Sequence, residues 1–143
     1  MRDLNNNIAA RPIVNPAVIN ADTNGTGVDL QGFDAVEVLA SLGTQGVTLS
    51  GSVFIDFILQ ESNDNSTYVA VPDGYLIGTP ITPGSGIFAR IDANSKAARS
   101  YAIGYCGNKR YVRCVVDFTG AHATGTPISV VALLGRPAVS PTV

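Results

Sequence analysis

Residues 53–71 read Val-Phe-Ile-Asp-Phe-Ile-Leu-Gln-Glu, then Ser-Asn-Asp-Asn-Ser-Thr, then Tyr-Val-Ala-Val. In the first part Val53, Ile55, Phe57 and Leu59 lie on one face, and a mixed set that includes Asp56 lies on the other. A period of two in β-branched and aromatic residues is typical of a strand with one face on a core. The six short polar residues that follow favour a turn, because their side chains bond to nearby backbone. The segment therefore predicts a β-hairpin.

The same alternation recurs along the chain, separated by Gly, Pro, Asn and Asp turn signals. It predicts strands over 28–30, 35–42, 47–49, 75–77, 87–92, 99–105, 110–118 and 128–134, with 99–105 and 110–118 forming a second hairpin. Only residues 92–98 have the composition of a helical turn, and a loop is favoured there. Many short strands without a helix predict an all-β fold: a single-domain antiparallel β-sandwich, with a jelly roll as the expected form.

The two ends of the chain differ from this pattern. Residues 1–19 begin polar and Asn-rich, and Pro12 and Pro16 confine Ile13 to Ile19 to a sheet edge. We therefore predict an extended N-terminal arm over 1–19, a β-sandwich domain over 20–135 and a C-terminal tail over 136–143. Such an arm is expected to become ordered when it lies on a partner.

Composition limits the classes of partner. The net charge of −2 argues against nucleic acid, which needs clustered Lys and Arg. The chain has only 14% charged residues, against roughly 25% in an ordinary soluble domain. Its longest apolar run is far below the ~20 residues of a membrane helix, so no membrane partner is expected. A low charge indicates a surface that is covered by other protein.

The cysteines and acidic residues give no cofactor or metal site. Across the predicted second hairpin, Cys106 and Cys114 would lie ~10 Å apart, which is too far for a disulfide. Without a signal peptide, synthesis in a reducing cytoplasm is expected, and both thiols are interpreted as small core residues. Asp22, Asn24 and Asp29 lack the bidentate acid that closes a calcium loop.

No catalytic constellation is evident. The one histidine, His122, lies in a Gly-Ala-His-Ala-Thr-Gly loop and is predicted to be exposed, without a nucleophile pattern around any serine. Asp56 and Glu37 stand on strands and are predicted to face solvent rather than form a carboxylate pair. We therefore predict that the protein is not an enzyme.

Two stretches resemble a known family. They are Leu-Gln-Glu-Ser-Asn-Asp-Asn-Ser-Thr-Tyr-Val-Ala-Val at 59–71 and the passage from Val28-Asp-Leu-Gln-Gly-Phe-Asp-Ala into Val36-Glu-Val. Both are similar to stretches of the head decoration, or cement, proteins of tailed bacteriophages, including the jelly-roll cement proteins of short-tailed phages. The resemblance implies a homodimer or homotrimer on a symmetry axis. It would be made in the host cytoplasm and then clamp neighbouring major capsid subunits from the outer surface of the virion.

The expected contacts with the shell come from the arm and the tail. The candidate residues are Arg2, Asn5, Arg11, Ile13, Val14, Val18, Arg136 and Val139. One alternative is a carbohydrate- or receptor-binding β-sandwich of a virion that uses Tyr75, Tyr101 and Tyr105, although a chain with 0 Trp lacks the usual sugar platform. Another is a coat subunit that forms shells by itself.

Overall fold

A computed structural model describes residues 3–140. It contains two short 3-10 turns, Asp73–Tyr75 and Asn94–Lys96, and eleven strands. The strands are β1 (Ile8–Ile19), β2 (Thr23–Asn24), β3 (Val28–Asp29), β4 (Phe33–Leu42), β5 (Phe54–Ser62), β6 (Val69–Ala70), β7 (Leu76–Ile77), β8 (Ile87–Ile91), β9 (Ser100–Tyr105), β10 (Tyr111–Thr119) and β11 (Thr126–Pro137).

The strands form two antiparallel sheets. The first sheet has the order β1-β11-β4-β9-β7, and the second has the order β2-β10-β5-β6, with β3 also on β10 and β8 also on β5. The first and last long strands pair, and successive long strands cross between the sheets: β4 to β5, β8 to β9, β9 to β10 and β10 to β11. This connectivity is that of a jelly roll. The predicted single-domain β-sandwich of jelly-roll type is therefore confirmed.

The core lies between the sheets and follows the predicted alternation. Val36, Val38, Ala40 and Leu42 of β4 are buried against the inward face of β5, where Ile55, Phe57 and Leu59 are fully enclosed. Strands β10 and β11 contribute their own inward residues: Val112, Cys114, Val116, Ile128, Val130, Ala132 and Leu134. Removing one of these large side chains leaves a cavity that costs roughly 2–5 kcal/mol.

The first predicted hairpin is confirmed, although its second strand is short. Gln60 pairs with Ala70 and Glu61 pairs with Val69. In the turn, one carboxylate oxygen of Asp64 accepts hydrogen bonds from the Ser62 hydroxyl and from two backbone N–H groups, those of residues 66 and 67. These three bonds hold the pKa of Asp64 down to about 2. The polar run thus makes a turn for the expected physical reason.

The second predicted hairpin is wrong. Strand β9 lies between β4 and β7 in the first sheet, whereas β10 lies in the second sheet, so the link between them crosses the sandwich. Alternation identifies a strand but not the sheet to which it belongs. Cys106 lies on this link and is exposed, so its predicted core position is also wrong, while Cys114 is buried as predicted. Both thiols are free.

The predicted N-terminal arm is a strand over most of its length. β1 pairs with β11 from Ile8 to Ile19, with register shifts between Pro12 and Val14 and between Val14 and Ala17. Its position at the sheet edge confirms the prediction made from the two prolines, which an edge strand with bulges accommodates. The burial of Ala9, Ile13 and Val14 anchors the strand in the core.

Three smaller predictions also differ from the structure. β11 extends to Pro137, so the predicted tail begins inside a strand. Residues 47–49 form a loop rather than a strand. The favoured loop at 92–98 contains the 3-10 turn Asn94–Lys96.

Candidate partner-binding surfaces

The two ends of the described chain meet at one corner of the sandwich. The Ser140 hydroxyl donates to the backbone oxygen of Asn6 at 2.9 Å, and the Ala138 N–H donates to the backbone oxygen of Gly32 at 2.8 Å. A turn after Asp3 is closed by hydrogen bonds from Asn6 to its carboxylate, which lower the pKa of Asp3. Both ends are therefore held against the folded domain.

From this corner β1 runs along one edge of the first sheet, and we call the corner and the exposed side of β1 the terminal edge. Twelve strand residues span roughly 40 Å. Leu4 and Val139 are 63% and 78% exposed at the corner, and Val18 is 67% exposed near the far end. Exposed apolar side chains thus stand at both ends of one long edge.

The structure sorts the predicted contact residues. Those at the surface of the terminal edge are Asn5, Arg11, Val18, Arg136 and Val139. Ile13 and Val14 are 3% and 7% exposed, so their prediction as contacts is wrong: the strand alternation turns them into the core. Arg2 lies outside the described residues.

The outward face of the second sheet is mixed, and several of its polar side chains pair with one another. Arg90 binds Asp56 through two hydrogen bonds, of 2.8 and 2.7 Å, and its guanidinium lies 4.5 Å from the Phe54 ring centre. Arg113 donates to Gln60 at 2.8 Å. Asp56 is buried by these neighbours, so the prediction that it faces solvent is wrong. Ile58 and Val115 lie opposite each other on this face and are half-buried, so the face is not uniformly polar.

The outward face of the first sheet is mostly apolar, and we call it the apolar face. In cross-strand register, Leu39 lies between Ala102 and Val131, and Glu37 lies between Gly104 and Leu133. Ile77 on the neighbouring β7 is 62% exposed. Glu37 is exposed as predicted, and among residues 3–140 its carboxylate has no hydrogen bond or salt bridge.

Two adjoining hollows lie at the corner end of this face. The face groove, of about 440 Å³, is lined by Ile8, Ala35, Glu37, Ile77, Leu133 and Arg136, among others. The end cleft, of about 500 Å³, is lined by Leu30, Phe33, Asn63, Lys109 and Arg110, among others. Asp34, Ala35, Val36, Tyr105 and Cys106 border both. Together they form one continuous depression.

A buried hydrogen bond joins the two sheets beneath this depression. The Tyr105 hydroxyl of β9 donates to the Glu61 carboxylate of β5 at 2.6 Å and accepts from the Lys109 N–H at 3.1 Å. Burial, followed by the bond to Glu61, raises the pKa of Tyr105 strongly. Tyr105 is therefore a structural tie between the sheets.

His122 is buried, so the prediction of an exposed loop residue is wrong. Its ring packs edge-on against Phe118 at 4.8 Å, which folds the loop onto the sandwich. Its Nε2 lies 2.9 Å from the Thr119 backbone oxygen, and Nδ1 has no partner within the described chain. Within residues 3–140 no serine hydroxyl or carboxylate forms a hydrogen bond with the ring.

Over residues 3–140 the structure contains no cluster of three His, Cys, Asp or Glu side chains placed to hold a metal ion. The same region has no helix of the length and apolar character that crossing a membrane requires. Of the three tyrosines considered for sugar binding, Tyr105 is buried and the Tyr101 hydroxyl donates to the Lys96 backbone oxygen, whereas Tyr75 is 40% exposed.

The signal for the apolar face was present in the sequence. In β11, Val130-Val131-Ala132-Leu133-Leu134 is apolar in both phases of the strand. In β4, Leu39 interrupts the outward polar positions Glu37 and Ser41. A strand that is apolar on both sides predicts a second covered surface.

The fold has likenesses among solved structures of known proteins. No protein-family model and no curated protein matches the chain. The chain is similar to the SPBc2 prophage-derived protein YomS, whose crystal structure aligns over 90% of this chain and 93% of that chain, with 15% sequence identity and a TM-score of 0.43.

Proposed function

We propose that the protein is a structural component of a bacteriophage head that binds the outside of the shell and bridges neighbouring major capsid subunits. The proposal follows the sequence resemblance to cement proteins. The observation that supports it is the terminal edge, which presents exposed apolar side chains at both ends of a strand roughly 40 Å long. In this proposal one end of the edge contacts one shell subunit and the other end contacts its neighbour.

The edge is suited to contacts through side chains rather than through strand addition. Pro12 and Pro16 lack the N–H groups that a further strand would need, and the two register shifts bend the edge. Because β1 is already paired with β11, little conformational entropy is lost when it binds. The edge is therefore a binding surface that is already ordered before it meets the shell.

Bridging opposes rupture through linkage. A clamp that needs two adjacent subunits binds the intact shell and not the separated subunits. At a concentration one hundred times its Kd, each filled site stabilises the intact shell by about 2.7 kcal/mol. Covering an apolar side chain such as Leu4, Val18 or Val139 contributes roughly 1.5–3 kcal/mol to binding.

The test is co-sedimentation with heads that are assembled without this protein. The wild-type chain should bind saturably, and Leu4→Asp, Val18→Asp and Val139→Asp should each weaken binding by at least tenfold. Ile81→Asp is the matched control, because Ile81 is 50% exposed on a loop outside the terminal edge. Equal binding by all four variants would contradict the assigned surface. Retention on a glycan array without binding to heads would favour the receptor-binding alternative.

A further inference from the structure

We propose that two copies of the chain pair through their apolar faces about a two-fold axis, with Glu37 of each protomer facing Arg136 of the other. This pairing is a property of the free protein and does not depend on shell binding. It uses the outward face of the first sheet, whereas the tested shell contacts Leu4, Val18 and Val139 lie along the terminal edge; Arg136 borders both surfaces.

The outward faces of the two sheets differ in their polar groups. On the second sheet, arginine, carboxylate and amide side chains pair with one another. On the first sheet, the central row is Ala102, Leu39, Val131 and Pro12, without a polar group. The arginines of the second sheet thus have partners within the chain, whereas the central row of the first sheet has the composition of an interface core.

The charged residues of the face groove lack partners within the described chain. The charged residues that line the face groove are Asp34, Glu37 and Arg136. None of them forms a salt bridge within the described chain, although Asp34 and Arg136 occupy facing stretches of β4 and β11. Covering Glu37 with an apolar surface would strand a carboxylate, so its partner must supply a cation. A second copy supplies one in Arg136.

The positions of Glu37 and Arg136 are compatible with a two-fold axis. Glu37 lies opposite Leu133, and Arg136 is three residues further along β11, so the two positions are about 11 Å apart at strand spacings. Arg136 has a positive φ of 51°, which breaks the strand alternation, and it lines the same groove as Glu37. A two-fold axis midway between them passes near the facing pair Ala35 and Gly135. An isologous interface requires this arrangement, because each contact occurs twice across the axis.

Small residues at that axis allow close approach. A Cβ added to Gly135 would meet only the Ala35 side chain, at 3.8 Å, so the groove floor is open outward. Leu133 and Ile77 stand as aliphatic walls on either side. A wall residue of one copy can therefore enter the groove of the other.

The size of the face is consistent with an interface core. Four paired strands about 4.8 Å apart, with outward residues over roughly 20 Å of their length, give a patch of about 400 Å². A standard interface buries about 800 Å² per partner, of which the centre is apolar and the rim polar. Ser41, Ser100 and Ser129 form one side of that rim.

The test is the oligomeric state of the purified chain by sedimentation equilibrium, without heads. The wild type should be a dimer at micromolar concentration. Glu37→Arg and Arg136→Glu should each raise the dimer Kd by at least tenfold, and the double variant should return it to within threefold of wild type. Glu37→Gln should have an intermediate effect, and circular dichroism should show that all variants are folded.

Arg99→Glu is the matched control, because it reverses an exposed cation beyond the serine rim and should leave the dimer unchanged. A wild-type monomer at 100 µM or a trimer would overturn the proposal, as would single reversals without effect. So would an Arg136→Glu variant that stays dimeric but loses affinity for heads, because Arg136 would then belong to the shell contact. A charge-dependent dimer that does not bind heads would support the pairing and contradict the proposed function.

Discussion

Replacing Tyr105 by Phe should destabilise the sandwich, because it removes the hydroxyl that joins the two sheets. The Tyr105 hydroxyl reaches from the first sheet to the buried Glu61 carboxylate of the second at 2.6 Å. Phe fills the same volume, so packing is retained. The variant leaves a buried carboxylate without its donor.

The magnitude follows from the groups that lose partners. A hydrogen bond to a charged group contributes about 1.5–3 kcal/mol, and the Lys109 N–H loses a weaker neutral bond of 3.1 Å. The expected loss in the free energy of unfolding is about 3 kcal/mol, or roughly a 10 °C fall in Tm for a domain of this size. Glu61→Gln retains an oxygen that accepts from Tyr105, so its loss should be only about 1 kcal/mol.

Urea unfolding followed by far-ultraviolet circular dichroism measures these differences at constant m. Because the two residues are in contact, the double variant should lose less than the sum of the single losses, with a coupling of at least about 1 kcal/mol. A Tyr105→Phe loss below about 0.5 kcal/mol would show that Glu61 is satisfied without the tyrosine and that the bond between the sheets contributes little.

Three further predictions concern single groups. Because its hydrogen bonds lower the pKa of Asp64, Asp64→Asn should be less stable than the wild type above pH 4, and this difference should vanish as the pH falls towards 2. The free energy of unfolding measured as a function of pH tests this. Burial, followed by the negative charges of Asp22 and Asp56, raises the pKa of Asp117; Asp117→Asn should therefore be more stable than wild type at pH 7, with the gain lost below pH 3.8. Burial raises the pKa of Cys114 strongly, so a thiol reagent should modify only Cys106 in the folded protein and both thiols in urea.

Strands were predictable where their chemistry is local. The alternation of Ile55, Phe57 and Leu59, and the polar run around Asp64, each determine structure from neighbours in sequence. The jelly-roll class followed because many short strands without a helix leave few architectures.

Sheet membership and burial depend on contacts between distant residues. Whether β9 pairs with β10 or crosses the sandwich is settled by the rest of both sheets, and the local turn at Cys106 is compatible with either. His122 is buried because its ring packs against Phe118. The small, flexible residues around the histidine in sequence do not indicate this contact. The polar composition of residues 1–12 concealed an edge strand, because an edge strand has one exposed side.

The candidate surfaces were predicted in part. Exposed positions such as Arg11, Val18 and Val139 follow from their place near the ends of the chain. Ile13 and Val14 were assigned to the same surface because sequence gives no phase for a strand that contains bulges. The apolar run at 130–134 indicates a second covered surface, but its extent depends on the register that places Leu39 beside Val131 across β4 and β11.

The rupture temperature of heads that lack this protein, measured as purified chain is added, tests the proposed clamp most directly. A clamp should bind saturably and raise the rupture temperature with occupancy until the sites are filled. Leu4→Asp and Val139→Asp should shift the rise to higher protein concentrations, whereas Ile81→Asp should follow the wild-type curve. Absence of binding, or saturated binding with an unchanged rupture temperature, would contradict the claim that the protein holds neighbouring shell subunits together.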